Sequence, residues 1–178
     1  MLSRKTIALT AAFAATIPLA NWLIGNVGTV CIPQGPCLLP VGFGLSAPSG
    51  VLVVGASLVL RDMVHEAGGP KAALIAIGIG GVLSGLFAAP ALLLASVLAF
   101  VLAELVDLAV YAPLRQRRVW LAVFLSGIAG AVVDSAVFLW VAFGSLDYIA
   151  GQTVGKMWMS LLALPVLRIA RAHRRAAA

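Results

Sequence analysis

Six runs of about 20 mostly apolar residues, with Lys and Arg almost confined to the gaps between them, leave this chain very few ways to fold. A run of that length crosses the hydrocarbon of a bilayer as a helix. The helix satisfies its own backbone hydrogen bonds where no water is available to do so. The expected spans are residues 6–24, 48–66, 71–89, 91–112, 119–143 and 148–168, with a long loop over 25–47. The fold class that follows is an all-α integral membrane protein, a single six-helix transmembrane domain over residues 1–178. Composition agrees, with 62% of residues hydrophobic, 10% charged and a mean hydropathy of +1.11. Those values exclude a soluble domain. The short loops leave no room for a separate catalytic or nucleotide-binding domain. The net charge of +6 does not point to nucleic acid, because the basic residues stand at helix ends.

The same basic residues set the orientation. Arg4, Lys5, Arg61, Lys71, the arginines of the 115–118 loop and those of the tail from Arg168 onward fall on one side of the alternating spans. The opposite loops hold none, and Lys156 lies within a span. By the positive-inside rule both termini are cytoplasmic and the 25–47 loop faces outward, placed to act as a lid. The first 20 residues imitate a signal peptide, with Arg4 and Lys5 ahead of an apolar run to Ala20. Pro18 stands where a cleavage site needs a small residue, so the expectation is an uncleaved first span. Cys31 and Cys37 are the only cysteines. On an oxidising face they suit a disulfide that pins the loop; two free thiols in a partly buried segment is the other reading, and spacing alone does not choose.

The fourth span, with SVLAFVLAELVDLAVY at 96–111, carries two carboxylates. Ser96, Phe100, Glu104, Asp107 and Tyr111 recur at steps of four, four, three and four, which puts them on one helical face. An acid at membrane depth costs about 2.5–3.5 kcal/mol on insertion scales, so it must face a cavity, a pore or a partner. Glu104 falls near the midplane with no partner assigned, and Asp107 nearer the cytoplasm. Asp134 in the fifth span and Lys156 in the sixth share a depth on neighbouring antiparallel helices, which makes them the natural ion pair. Such a pair is either a register-fixing bridge or part of a binding site.

Gln152, Lys156 and Ser160 form a polar line at i, i+4 and i+8. Phe138 lies one turn beyond Asp134, and Trp158 lies deeper than the interfacial Trp22, Trp120 and Trp140. Rings beside carboxylates and amides suit a flat heterocycle, stacked on its face and hydrogen-bonded at its edge. The candidate substrate residues are therefore Glu104, Asp107, Asp134, Phe138, Gln152 and Lys156, with Phe100 and Trp158. At the end of the second span, Arg61, Asp62, His65 and Glu66 read as a solvated helix end with i, i+4 contacts. Asp62, His65 and Glu66 are the candidates for a proton or gating role, His65 being the residue type suited to a relay.

Four stretches together resemble the queuosine precursor transporter family, small six-span bacterial proteins also described as vitamin-uptake-transporter-like. In RDMVHEAGGPKAA, Asp62, Glu66, Gly69 and Lys71 match the family's Asp-x-x-x-Glu pattern and the opening of its next helix. In LAELVDLAVYAPLRQR, Asp107 falls on the family's fourth-span acid. In SGIAGAVVDSAVFLWVAFG, Asp134 and Phe138 fall on its fifth-span Asp-x-x-x-Phe pattern, and Lys156 ahead of Pro165 matches the sixth span. The resemblance implies import of a 7-deazaguanine base, such as the cyano or aminomethyl precursor or queuine, across the bacterial inner membrane. Glu104 or Asp134 would accept the ring N–H and exocyclic amine of such a base, Lys156 or Gln152 would donate to its carbonyl, and Phe138 or Trp158 would cover its face.

Another reading is the substrate-binding subunit of an energy-coupling-factor vitamin transporter, a fold of similar size with an outer loop over its site. The Ala8/Ala12 and Ala11/Ala15 pairs on the first span would then dock a partner. The Gly81/Gly85 pair of the third span fits a small-xxx-small packing face, and a chain that transports alone suggests a homodimer with that glycine-rich span as one candidate contact. Nothing favours an enzyme, because no nucleophile elbow and no His/Cys/acid metal spacing is present, and no cofactor is expected. The partners expected are a nucleobase-like solute and the lipid bilayer.

Overall fold

The computed structural model describes residues 3–33, 35–88 and 93–176. Its elements are α1 (Arg4–Asn26), β1 (Val30–Cys31), β2 (Cys37–Gly42), β3 (Leu45–Pro48), α2 (Val51–Phe87), α3 (Leu93–Leu114), α4 (Val119–Phe143) and α5 (Ile149–Ala176). Among the described residues, α1, α2, α3 and α4 are long and apolar enough to cross a membrane. The turn expected at Pro90 lies outside the described residues, as do the side chains of Ser160 and of the tail from Arg168.

Two of the expected spans are joined in α2, which runs for 37 residues with one break. Gly69 has φ 76° and ψ −175°, a conformation open to glycine and strained for other residues. Pro70 follows as the first residue of the next helical segment, where its missing N–H costs nothing. Gly50 lies against Ala20 and Ile24 of α1, Gly68 against Thr6, and Gly80 against Phe13. The segment 51–68 therefore runs antiparallel to α1, and 70–87 turns back along it. The helix expected to stop at residue 66 continues to the Gly69 break, which sets Arg61 about two turns inside it.

The core follows from this hairpin. Phe13 and Ile17 of α1 meet Val64, Ala76 and Ile77 of both α2 segments and Phe100 of α3. A second cluster joins Val59 to Tyr111, Ala122 and Val123, where α2, α3 and α4 converge. Gly81 and Gly85 face Val101 and Val97 of α3. That pair is thus used for packing within the chain, while nothing lies within 4 Å of a Cβ placed on Gly78.

The 25–47 loop departs from expectation. It folds as a three-stranded antiparallel sheet in the order β1-β2-β3, so the chain is mostly helical rather than all-α. Cys31 and Cys37 oppose each other in register and are disulfide-bonded. Strands β2 and β3 are linked by Gly42, Phe43 and Gly44, all at positive φ, with a bulge between Pro40 and Gly42. Val41 and Ala47 turn inward against Val51 and Val154, which seats the sheet on the N-terminal ends of α2 and α5.

The two ends of the bundle differ in charge. Gly68 beside Thr6, and Glu66 bonded to Arg115, bring Arg4, Lys5, Lys71 and the 115–118 loop to one end. Ser49, whose hydroxyl donates to the Leu23 carbonyl, marks the other end, where the sheet sits.

Candidate functional site

A cavity opens among the helices at the sheet end. About 660 Å³ of space between atoms lies in it and its mouth together, the open solvent at the mouth included. Thr16, Asn21 and Ile24 of α1, Val51, Val54 and Ser57 of α2, and Ser96 and Phe100 of α3 form most of its wall. Asp134 and Phe138 of α4 with Gln152 and Lys156 of α5 complete it, and Pro48 and Gly50 bring it up to the sheet. Its wall has the character of a small-molecule site, mostly apolar with a few convergent polar groups.

Lys156 is the charged centre of the wall. Its side chain is 2% exposed, and its ammonium donates to Asp134, to Ser135 Oγ at 2.8 Å and to Gln152 Oε1 at 3.3 Å. Asp134 is the less buried partner, at 16% side-chain exposure, so its carboxylate is the half of the pair that water or a solute reaches. Gln152 uses its amide oxygen on Lys156, which leaves its NH₂ as the end suited to a ligand. The pairing follows from equal depth on adjacent helices. What holds Lys156 in place was not visible in the spacing: α2 approaches α5 so closely at Gly55 that a Cβ there would stand 2.9 Å from the Lys156 backbone.

The other candidate acids lie elsewhere. Glu104 is neither unpaired nor among the cavity-lining residues: its Oε2 accepts from Arg61 Nε at 2.9 Å. Arg61 Nη1 lies 2.6 Å from Asp62 Oδ1, and Nη2 lies 2.6 Å from Asp107 Oδ2. Each nitrogen of one guanidinium therefore faces a different carboxylate. Arg61, Asp62, Glu104 and Asp107 are all at most 1% exposed. The expected solvated helix end is instead a buried ionic cluster, because α2 carries these residues inward past residue 66. The Arg61 guanidinium carbon lies 5.8 Å from the Tyr111 ring centre, and His65 meets the same ring edge-on at 5.4 Å. Tyr111 Oη donates to Glu66 Oε1 at 2.8 Å, and Arg115 does the same at 2.8 Å. This chain of contacts ends at the basic end, where Glu66 and Arg115 are partly exposed.

Of the expected substrate residues, the structure gathers Phe100, Asp134, Phe138, Gln152 and Lys156 at the cavity. It places Glu104 and Asp107 in the Arg61 cluster, one and two turns below Phe100 on α3. Trp158 is not among the cavity-lining residues. It is 43% exposed, its indole N–H donates to the Val41 carbonyl at 2.9 Å, and its ring stacks on Phe43 at 6.4 Å. The sheet, rather than the cavity wall, takes up both its N–H and its ring. Thr16, Ser57 and Ser84 of the wall carry no signal in the sequence, since lone Ser and Thr in an apolar helix usually bond their own backbone. Ser57 and Thr16 in fact do so, to the Val54 and Phe13 carbonyls.

Over residues 84–170 the chain matches a family model described as "Putative vitamin uptake transporter". The match covers just under half of the chain and takes in α3, α4 and most of α5, and with them Phe100, Asp134, Phe138, Gln152 and Lys156. The chain is thus a membrane protein similar over that stretch to uptake transporters. No curated protein and no solved structure matches it.

Proposed function

We propose that this protein imports a queuosine precursor, a 7-deazaguanine base, across the bacterial inner membrane. The single observation that carries the reading is a cavity walled by all five helices with the Asp134–Lys156 pair and Gln152 on one side and Phe100 and Phe138 beside them. A guanine-like edge offers two adjacent N–H donors, which the reachable Asp134 carboxylate accepts together. The base carbonyl takes a hydrogen bond from the Gln152 NH₂ or from Lys156. The ring plane lies against a phenylalanine, a contact worth about 0.5–1.5 kcal/mol beyond burial. The family match supports uptake of a small solute, and the motif resemblance is what narrows that solute to a deazaguanine.

In this reading the chain makes six passes, the two segments of α2 counting separately. Both termini lie in the cytoplasm beside the basic end, and the cavity and sheet face outward. The second reading, a substrate-binding subunit that needs a coupling ATPase, draws on the exposure of Ala8, Ala11, Ala12 and Ala15 along one side of α1. Uptake of labelled 7-cyano-7-deazaguanine by cells lacking both their own importer and the coupling ATPases separates the two. Uptake by this chain alone supports a self-sufficient transporter. A thermal shift of the purified protein with vitamins but with no deazaguanine overturns the substrate.

A further inference from the structure

We propose that the buried cluster of Arg61, Asp62, Glu104 and Asp107 is a proton-binding site, through which proton entry is coupled to import. The coupling half rests on the transport reading above; the proton site does not.

One guanidinium faces three carboxylates at 2.6–2.9 Å, and all four side chains are at most 2% exposed. If every carboxyl were ionised the cluster would hold an excess of negative charge away from water, at a cost of several kcal/mol per unpaired ion. The compensating positive charge is either a bound cation or protons. The geometry rules against a metal: the guanidinium fills the centre of the carboxylate triad, and among the described residues no three His, Cys, Asp or Glu side chains are placed to hold one. Protons need no cavity. A carboxylate takes one up from water to become a carboxylic acid, and no other bond changes.

A second observation is independent of the acids. His65 stands one turn from Arg61 on α2 and is 2% exposed, and its Nδ1 has no hydrogen-bond partner among the described residues. A buried imidazole nitrogen without a partner is a place for a proton in transit.

Connectivity gives the route. Tyr111, Glu66 and Arg115 link the cluster to the basic end. In the other direction Ser57 and Phe100, both in the cavity wall, stand one turn from Arg61 and Glu104. The titratable groups around the cluster are His65 and Glu66 on α2, Tyr111 on α3 and Arg115 in the turn just after α3. Asp134 on α4 acts on Glu104 and is held by Lys156 on α5. Between Thr6 and Asn26, α1 brings no ionisable side chain. A proton on Glu104 weakens its hold on Arg61, one turn below the wall that contacts solute, so occupancy of the two sites is linked.

Infrared spectroscopy of the purified full chain, without solute, tests the site. Wild type at neutral pH should show the carbonyl stretch of a protonated, buried carboxylic acid, and that band should shrink in Glu104→Gln, Asp62→Asn or Asp107→Asn. Absence of the band in wild type, or a band undiminished in all three variants, overturns the proposal. In proteoliposomes, an inward-directed proton gradient should raise deazaguanine accumulation at least several-fold for wild type and leave Glu104→Gln at its gradient-free level, with the ligand-induced thermal shift retained. A wild type that binds and moves the solute but ignores the gradient overturns the coupling. A wild type that binds no deazaguanine at all indicts the substrate reading and leaves the infrared result standing.

Discussion

Gly55 and Lys156 touch backbone to backbone: a Cβ on Gly55 would stand 2.9 Å from both the Cα and the carbonyl oxygen of Lys156. The cationic residue of the cavity is thus positioned by a contact that has no charge in it as well as by its ion pair with Asp134. Gly55→Ala forces α2 and α5 apart, and overpacking of this kind costs about 1–3 kcal/mol. The expected outcome is a lower melting temperature in detergent together with weaker solute binding, because Lys156 moves with its helix. A variant that melts like wild type would show that the approach is looser than this.

The Asp134–Lys156 pair gives a second prediction. Lys156→Met leaves a carboxylate partly buried without its partner, at about 3 kcal/mol or more. Adding Asp134→Asn removes the stranded charge and should recover most of that stability. Solute binding should stay lost in the double variant, at least about tenfold below wild type, since the loss of one charge-assisted hydrogen bond is worth about 1.5–3 kcal/mol. Thermal melts with and without ligand read both effects.

Arg61 holds three carboxylates and has no nitrogen to spare. Arg61→Lys keeps the charge but replaces a planar fork with a single point donor, so it cannot hold three carboxylates in one plane. Arg61→Met abandons all three, with an expected penalty of about 3–5 kcal/mol. Expression level and melting temperature should fall in the order wild type, Lys, Met.

The disulfide closes a short loop within the sheet. Replacing Cys31 and Cys37 by Ser should lower stability by about 2 kcal/mol through the entropy returned to the unfolded chain. Reductant should reproduce the effect in wild type and do nothing further to the variant. Solute affinity should fall less than in Lys156→Met, because neither cysteine lines the cavity.

The parts of this molecule readable from sequence are those set by periodicity and depth. Apolar runs located the helices, and equal depth on antiparallel neighbours paired Asp134 with Lys156. What escaped was decided by small residues and by where helices end. Arg61 was assigned to solvent because charge at the edge of an apolar run normally marks its boundary, and here helix continues to the Gly69 break. Glu104 seemed alone because its partner was counted as interfacial. The sheet leaves little signal: β1 has two residues, β2 contains Pro40 and ends on Gly42, and the link to β3 is only Phe43 and Gly44. Trp158 was assigned to the solute because nothing in its own helix shows that the Val41 carbonyl lies within reach.

Phe43 at the tip of the β2–β3 link is 83% exposed and rests on Trp158, whose indole is tied to Val41. The most accessible aromatic of the sheet is thereby wired to the helix that carries Lys156, two residues from it in sequence. An antibody fragment gripping that hairpin would hold α5 without entering the chamber. It offers a handle for arresting the molecule in one posture, and for adding mass to a protein too small to image easily by itself.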